Sequence, residues 1–344
     1  MNADGTPDPL DPAELPDSAD RIRTLARRLA GQLPAARVAE GESLRRYTSF
    51  QIGGPADLFV EPVSVESLSA VLAAAHELAV PVTCLGGGTN LLVADAGVRG
   101  LVVRLGKAFA YIRETGQDEG GVDLEVGAAT RFIRLAKDTV TRGLGGLEFA
   151  AGIPGWVGGA AQMNAGAFGG EISQTLISMT MVEMDGTIVE KQREQLHFSY
   201  RKLAFDRPAV IASLRFRLHR SSVGVLQQAV ARVQEKRRRN QPAGYPNAGS
   251  IFKNPPGEYA GRLIEKAGLK GTTKGGAQVS LEHGNFIVNL GAATAADVRG
   301  LMGLVQEEVW RKCGVWLEPE VRLLGEFGEF GEFGQPDEVE TSRP

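Results

Sequence analysis

The stretch Val82-Thr83-Cys84-Leu85-Gly86-Gly87-Gly88-Thr89-Asn90-Leu91-Leu92 runs a short apolar strand, opened by Pro81, straight into three glycines. Upstream, Leu58-Phe59-Val60 reads as another strand. Between them Ser64 caps a helix whose apolar face is Leu68, Val71, Leu72 and Ala75. Strand, helix and strand in that order make a βαβ unit, which favours parallel pairing. Three glycines at a strand end leave amide groups bare, and these can curl into a nest of N–H donors for a pyrophosphate. The run lacks the Gly-Lys-Ser/Thr of a triphosphate loop and the Gly-x-Gly-x-x-Gly of a Rossmann fingerprint. A tight structural turn is the other reading.

The chain has 344 residues, enough for about two domains or three small ones. Apolar residues at 43% and charged residues at 23% are ordinary globular values. A net charge of -3 gives no reason to expect nucleic acid or an anionic membrane as partner. Cys84 and Cys313 stand in apolar surroundings and read as reduced core residues of a cytoplasmic protein. The acidic, proline-rich start is no signal peptide, and no apolar run reaches the ~18 residues of a membrane span. No metal site is expected.

Residues 1–20 lack periodicity and are expected to be a disordered tail. A helix is expected over 21–31, and strands over 101–105 and 123–126. Thr130 is expected to begin a helix with Phe132, Leu135, Ala136 and Val140 inward, stopped by Gly143. Residues 145–160 and 164–170 then combine many glycines with apolar residues. Such backbone packs closely on something flat or large, either a sheet or a ligand. Strands over 177–184, 187–189 and 209–218 follow, and a helix over 225–239 ends in Lys236-Arg237-Arg238-Arg239. Those cations complement the negative helix end or are simply solvated, with a phosphate contact left open for part of the run. A helix over 259–267 and strands over 277–280 and 286–289 precede a helix capped by Thr294 with Asp297 at its third position. A last strand over 315–323 alternates Leu317, Val321 and Leu323 against Glu318, Glu320 and Arg322. The Gly-Glu-Phe repeat after it has too little complexity for a packed core.

Three features carry chemistry. Asn247-Ala248-Gly249-Ser250-Ile251-Phe252-Lys253-Asn254-Pro255 sets one hydroxyl on a glycine-preceded turn. No histidine stands near, so a hydrolase elbow is not indicated. The serine suits a proton donor better than a nucleophile, or is an ordinary turn serine. Arg201 beside Tyr200 is a fixed fork next to a phenol, or a plain surface charge. Glu320 and Arg322, two apart on one strand face, are a surface ion pair or part of a site.

Taken in order, these stretches resemble the UDP-N-acetylenolpyruvoylglucosamine reductase family, from about Tyr47 to Gly325. The likeness rests on Thr48-Ser49-Phe50 with Ile52-Gly53-Gly54-Pro55-Ala56, the Gly86 to Leu92 run, Ala151-Gly152-Ile153-Pro154-Gly155, and Asn164-Ala165-Gly166-Ala167. It continues through Tyr200-Arg201, the Gly249 to Pro255 turn, and Leu317-Glu318-Pro319-Glu320-Val321-Arg322. The compact stretch between Lys253 and Gly271 resembles the family's shorter subtype, which lacks a substrate-covering loop and its tyrosine, so that tyrosine is not carried over to Tyr259. Lys202-Leu203 departs from the serine or aspartate often found after Tyr-Arg.

The resemblance implies an α+β chain: a two-subdomain FAD-binding fold of the vanillyl-alcohol-oxidase type plus a C-terminal α+β substrate-binding domain. The implied segments are a tail (1–20), FAD-binding subdomains (21–106 and 107–219), a substrate-binding domain (220–325) and a low-complexity tail (326–344). It implies an NADPH-dependent, FAD-containing oxidoreductase of peptidoglycan precursor synthesis, monomeric and cytoplasmic, that reduces UDP-N-acetylglucosamine enolpyruvate to UDP-N-acetylmuramate. Hydride would pass from FAD N5 to C3 of the enolpyruvyl group and a proton from Ser250 to C2. Arg201, Ser250 and Glu320 fall on the family's catalytic positions. Gly86, Gly87, Gly88, Thr89, Asn90, Leu91, Gly152, Ile153, Gly155, Gly158, Asn164 and Gly166 fall on its flavin loops. Tyr200, Asn254, Asn285 and Arg322 are expected at the substrate, and Arg237, Arg238 or Lys253 at phosphate. A flavin oxidase and a non-catalytic flavin or nucleotide-sugar module are the competing readings. None of the four histidines sits in the early glycine loops, where many such oxidases tether flavin.

Overall fold

The computed structural model describes residues 17–242 and 244–327, so the expectations for most of both tails lie outside the described residues. The chain opens with α1 (Ser18–Gln32), which starts within the expected tail. Then come β1 (Arg37–Ser43), β2 (Pro55–Glu61), α2 (Val65–Glu77), β3 (Val82–Leu85), β4 (Leu91–Val93) and β5 (Val98–Arg104). The first sheet has the order β1-β2-β5-β3. Both β2 and β3 run parallel to β5, as a βαβ unit requires. The Ser64 hydroxyl accepts from Ser67 N–H at 3.1 Å, and Leu68, Val71, Leu72 and Ala75 are all buried. They pack on Leu58 and Val60 of β2. Sequence reading missed β1, an antiparallel edge strand whose Arg-Val-Ala-Glu-Gly-Glu-Ser carries little apolar signal.

The second subdomain is antiparallel. Its sheet runs Ile188–Gln192, Leu176–Glu183, Ala209–Arg220, β7 (Gly121–Gly127) and β6 (Ile112–Asp118). The helices α3 (Phe132–Thr141) and α4 (Val157–Gln162) belong with it. Thr130 does not cap α3: its hydroxyl donates to Tyr111 O at 2.9 Å, and Arg131 stands at the cap position. One continuous core joins both subdomains, from Leu25 and Leu58 to Phe132 and Phe216. The next helix, α5 (Val223–Asn240), lies against α3 and the Glu148–Gly152 turn. It therefore packs with the second subdomain rather than heading the third.

The third unit is a sheet of Asn247–Ser250, Phe286–Asn289, Ala277–Val279 and Thr273–Lys274, accompanied by α6 (Ala260–Lys266) and α7 (Ala295–Cys313). Thr294 and Asp297 form the expected capping box on α7. Phe50, Ile52 and Leu92 of the first subdomain share this unit's core with Ile251, Phe252 and Leu301. Each fully buried side chain of that size contributes about 1.5–3 kcal/mol, so the docking is firm. Polar contacts reinforce it. Asn289 Nδ2 donates to Phe50 O at 2.9 Å, and the Asp95 carboxylate accepts from Ala295 N–H at 2.8 Å and Ala296 N–H at 3.0 Å.

The strand expected over 315–323 is mostly irregular. Pro319 has no N–H to continue a ladder, and its segment makes only an isolated bridge to Phe252. Regular pairing begins at Arg322–Leu324, which runs parallel to β4. The end of the expected substrate domain thus returns to the first subdomain.

Candidate active site

A cavity of ≈ 860 Å³ lies where the three units meet, a volume typical of small-molecule sites. The glycine run forms one wall. Gly88 has φ +64°, and a Cβ there would collide with the Tyr47 carbonyl. Its own carbonyl accepts from Ser49 N–H at 2.9 Å, which fastens the loop to the Thr48-Ser49-Phe50 turn. Among the described residues, the N–H groups of Gly87, Gly88, Thr89 and Asn90 reach no backbone carbonyl. Unpaired amides that line a cavity can take acceptors from a ligand. Gly87 lies so close to the opposite loop that a Cβ would stand 3.0 Å from Gly155 Cα. Bare donors on a concave, glycine-lined wall suit the pyrophosphate of a dinucleotide such as FAD.

Of the residues expected at the cofactor, Gly86 through Leu91, Ile153, Gly155, Gly158 and Gly166 line this cavity. Gly152 and Asn164 do not. Gly152 carries Arg237, whose guanidinium lies against it and donates to its carbonyl. Asn164 is 4% exposed and works as a brace, accepting from Ser173 N–H at 3.3 Å and donating to Ser199 O at 3.2 Å. Cys84 is no core residue. Its exposed surface is cavity wall, ringed by protein atoms, and that desolvation pushes its thiol up to about 11.

Ser250, Arg201 and Glu320 come from three distant parts of the chain and line the same cavity. Ser250 ends a strand after Gly249, whose φ is +77°. Among the described residues its hydroxyl has no hydrogen-bond partner. Arg201 also sits at positive φ, +57°, a costly conformation for a side chain of its size. Its Nε lies 2.9 Å from Glu320 Oε1, yet the N–H is not aimed at that oxygen. The pair is a charge contact rather than an aligned hydrogen bond. Nη1 donates to Gly166 O at 3.2 Å. Burial raises the Glu320 carboxyl above its ordinary value, against the opposing pull of Arg201 and Lys253.

Three guanidinium groups, Arg201, Arg237 and Arg322, share the cavity with the Glu320 carboxyl. Burial, and then the Arg201 charge, pulls Arg237 below its ordinary value, and its buried Nε has no partner among the described residues. Burial alone lowers Arg322. Such an excess of cations is the charge pattern of an anion site.

The other residues expected at substrate lie elsewhere. Asn254 Oδ1 accepts from Ala260 N–H at 3.1 Å at the start of α6. Asn285, 3% exposed, spends its amide on Phe252: Oδ1 accepts from the backbone N–H at 2.9 Å and Nδ2 donates to the carbonyl at 2.8 Å. Tyr200 is 60% exposed in a neighbouring depression. Arg238 pairs with Glu235, and Lys253 with Glu318. Tyr245, which sequence reading passed over, does line the cavity. Only its place five residues before Ser250 could have drawn attention to it.

Two family models match the chain. An FAD binding domain model matches residues 56–191. A model of the UDP-N-acetylenolpyruvoylglucosamine reductase C-terminal domain matches residues 241–324, beginning where α5 ends. UDP-N-acetylenolpyruvoylglucosamine reductase 2 of Symbiobacterium thermophilum is 46% identical over 308 residues, 89% of this chain and 96% of that one. The reductase of Agathobacter rectalis is 42% identical, covering 89% of this chain and 99% of that one. The crystal structure of UDP-N-acetylenolpyruvylglucosamine reductase from Thermus caldophilus superposes with a TM-score of 0.72 at 38% identity, over 84% of this chain and 99% of that one. With a flavin-type domain pair, a matching C-terminal domain and relatives alike over nearly their whole length, the chain belongs to the UDP-N-acetylenolpyruvoylglucosamine reductase family.

Proposed function

We propose that this chain reduces UDP-N-acetylglucosamine enolpyruvate to UDP-N-acetylmuramate, a peptidoglycan precursor, using FAD and NADPH. The observation that carries the reading is the meeting of Ser250, Arg201 and Glu320 in one glycine-walled cavity. The Gly86 to Leu91 run with Ile153, Gly155 and Gly158 would hold FAD, which when bound would supply the hydride for C3 of the enolpyruvyl group after reduction by NADPH. Arg201 holds the substrate carboxylate, on which negative charge grows as C3 is reduced, and its fork can offer two parallel N–H groups. One such donor is worth about 3–4 kcal/mol in the barrier. A bare Glu320 carboxylate would repel that charge. Burial raises that carboxyl and so favours its protonated form, in which Glu320 is a donor instead. Ser250 Oγ gives the proton to C2, and its lack of a partner among the described residues leaves that hydroxyl free to turn towards substrate. Arg237 and Arg322 supply further positive charge for the diphosphate.

Among the described residues no helix is long and apolar enough to cross a membrane. A catalyst fed by NADPH and a nucleotide sugar belongs in the cytoplasm, where both are made. The test is Ser250→Ala. It should leave reduction of the flavin by NADPH intact and slow reoxidation by substrate at least about a hundredfold. Equal slowing of both half-reactions would remove Ser250 as proton donor.

A further inference from the structure

The two residues after Ser250 have all four of their backbone polar groups bound. Asn285 takes three of them. Its carbonyl accepts from Ile251 N–H at 3.0 Å, its Oδ1 from Phe252 N–H at 2.9 Å, and its Nδ2 donates to Phe252 O at 2.8 Å. The fourth, Ile251 O, accepts from Glu320 N–H at 2.7 Å and more distantly from Val321 N–H at 3.3 Å. The Glu320 carbonyl in turn accepts from Asn90 Nδ2 at 2.9 Å, on the glycine loop. A chain of hydrogen bonds thus links the glycine loop, the Glu320 peptide and the Ser250 turn, and Asn285 closes its far end. Asn285 is itself held from behind, its N–H donating to His283 Nδ1 at 3.1 Å.

We propose that Asn285 is a positioning residue that sets Ser250 opposite Glu320 and Arg201, and that it acts without touching substrate. The inference rests on the reductase reading above. A carboxamide is the right group because Phe252 needs one acceptor and one donor from the same side chain. A neutral side chain is also required, since a carboxylate would face the Phe252 carbonyl with like polarity in a buried place. A displacement of about 1 Å at a reacting group costs about a hundredfold in rate, so a loosened clamp is felt at the proton-transfer step.

The experiment uses the FAD-loaded full chain with Asn285→Ala and Asn285→Asp, following flavin absorbance in each half-reaction and measuring binding of UDP-N-acetylmuramate separately. Both variants should load FAD, accept electrons from NADPH within about twofold of wild type, and bind the product within about threefold. Substrate-driven reoxidation should fall about ten- to a hundredfold at pH 8. Asn285→Asp carries a further signature. Once protonated, its carboxyl offers one donor and one acceptor in the shape of the amide, so its rate should recover towards wild type as pH is lowered, while Asn285→Ala does not. Reoxidation within twofold of wild type, equal losses in both half-reactions, failure to load FAD, or identical pH profiles for the two variants would each overturn the proposal. Failure of the wild type to be reoxidised by substrate would instead overturn the reductase reading.

Discussion

Asp95→Ala tests whether the contact between the first and third units is as firm as its geometry implies. Asp95 follows β4 closely and accepts from the first two N–H groups of α7, at 2.8 and 3.0 Å. Ala295 is fully buried, so its N–H would lose its partner without gaining water, at about 1–3 kcal/mol. Ala296 is exposed and its N–H would be rehydrated, costing roughly 0.5–1 kcal/mol. Losing a carboxylate from a helix N-terminus adds about 0.3–1 kcal/mol. The sum is about 2–5 kcal/mol, which at an unfolding entropy of about 2.1 cal/mol/K per residue lowers Tm by roughly 3–7 °C. The assay is thermal unfolding by circular dichroism at moderate salt, with Asp95→Asn as control. That variant keeps one acceptor and should lose about half as much. A Tm for Asp95→Ala within about 1 °C of wild type would refute the reasoning, because the α7 amides would then be satisfied without Asp95.

Two further predictions concern the site. Arg201→Lys keeps the charge and loses the planar fork. Substrate-driven reoxidation should fall about 10²- to 10³-fold, and a loss under about fivefold would deny the bidentate role. Glu320→Gln tests the protonation of the carboxyl. Burial raises it in the folded state, so the folded protein binds that proton more tightly than the unfolded chain. Wild type therefore loses stability as pH climbs from the unfolded value towards the folded one. The glutamine variant escapes that loss. Its Tm should match wild type near pH 4 and exceed it at about pH 8, and a difference that shrinks with rising pH would contradict the sign.

Some of this architecture is plain in the sequence because a local rule suffices. Ser64 and Thr294 announce helix starts, and their hydrogen bonds are the ones capping requires. The glycines at 86–88 announce a close approach, which a Cβ at Gly88 would prevent. Other features depend on distant partners. Asn254 and Asn285 look like ligand-contacting amides, yet both turn inward to backbone, and the letter Asn reads alike in either role. The pairing of Arg322–Leu324 with β4 spans most of the chain and leaves no periodic trace. Arg237 stands in a run of four cations; Lys236 and Arg238 beside it are exposed, whereas Arg237 lies against the turn at Gly152. Cys84 reads as core because its neighbours are apolar. The cavity beside it exists only once the second subdomain folds across.

The most direct measurement is anaerobic. Purified protein carrying FAD is reduced with NADPH, UDP-N-acetylglucosamine enolpyruvate is added, and the flavin absorbance is followed. Rapid return of the oxidised spectrum, with UDP-N-acetylmuramate formed in equal amount, is the predicted result. A flavin that bleaches and recovers only when oxygen is admitted would contradict the reductase reading and point to an oxidase.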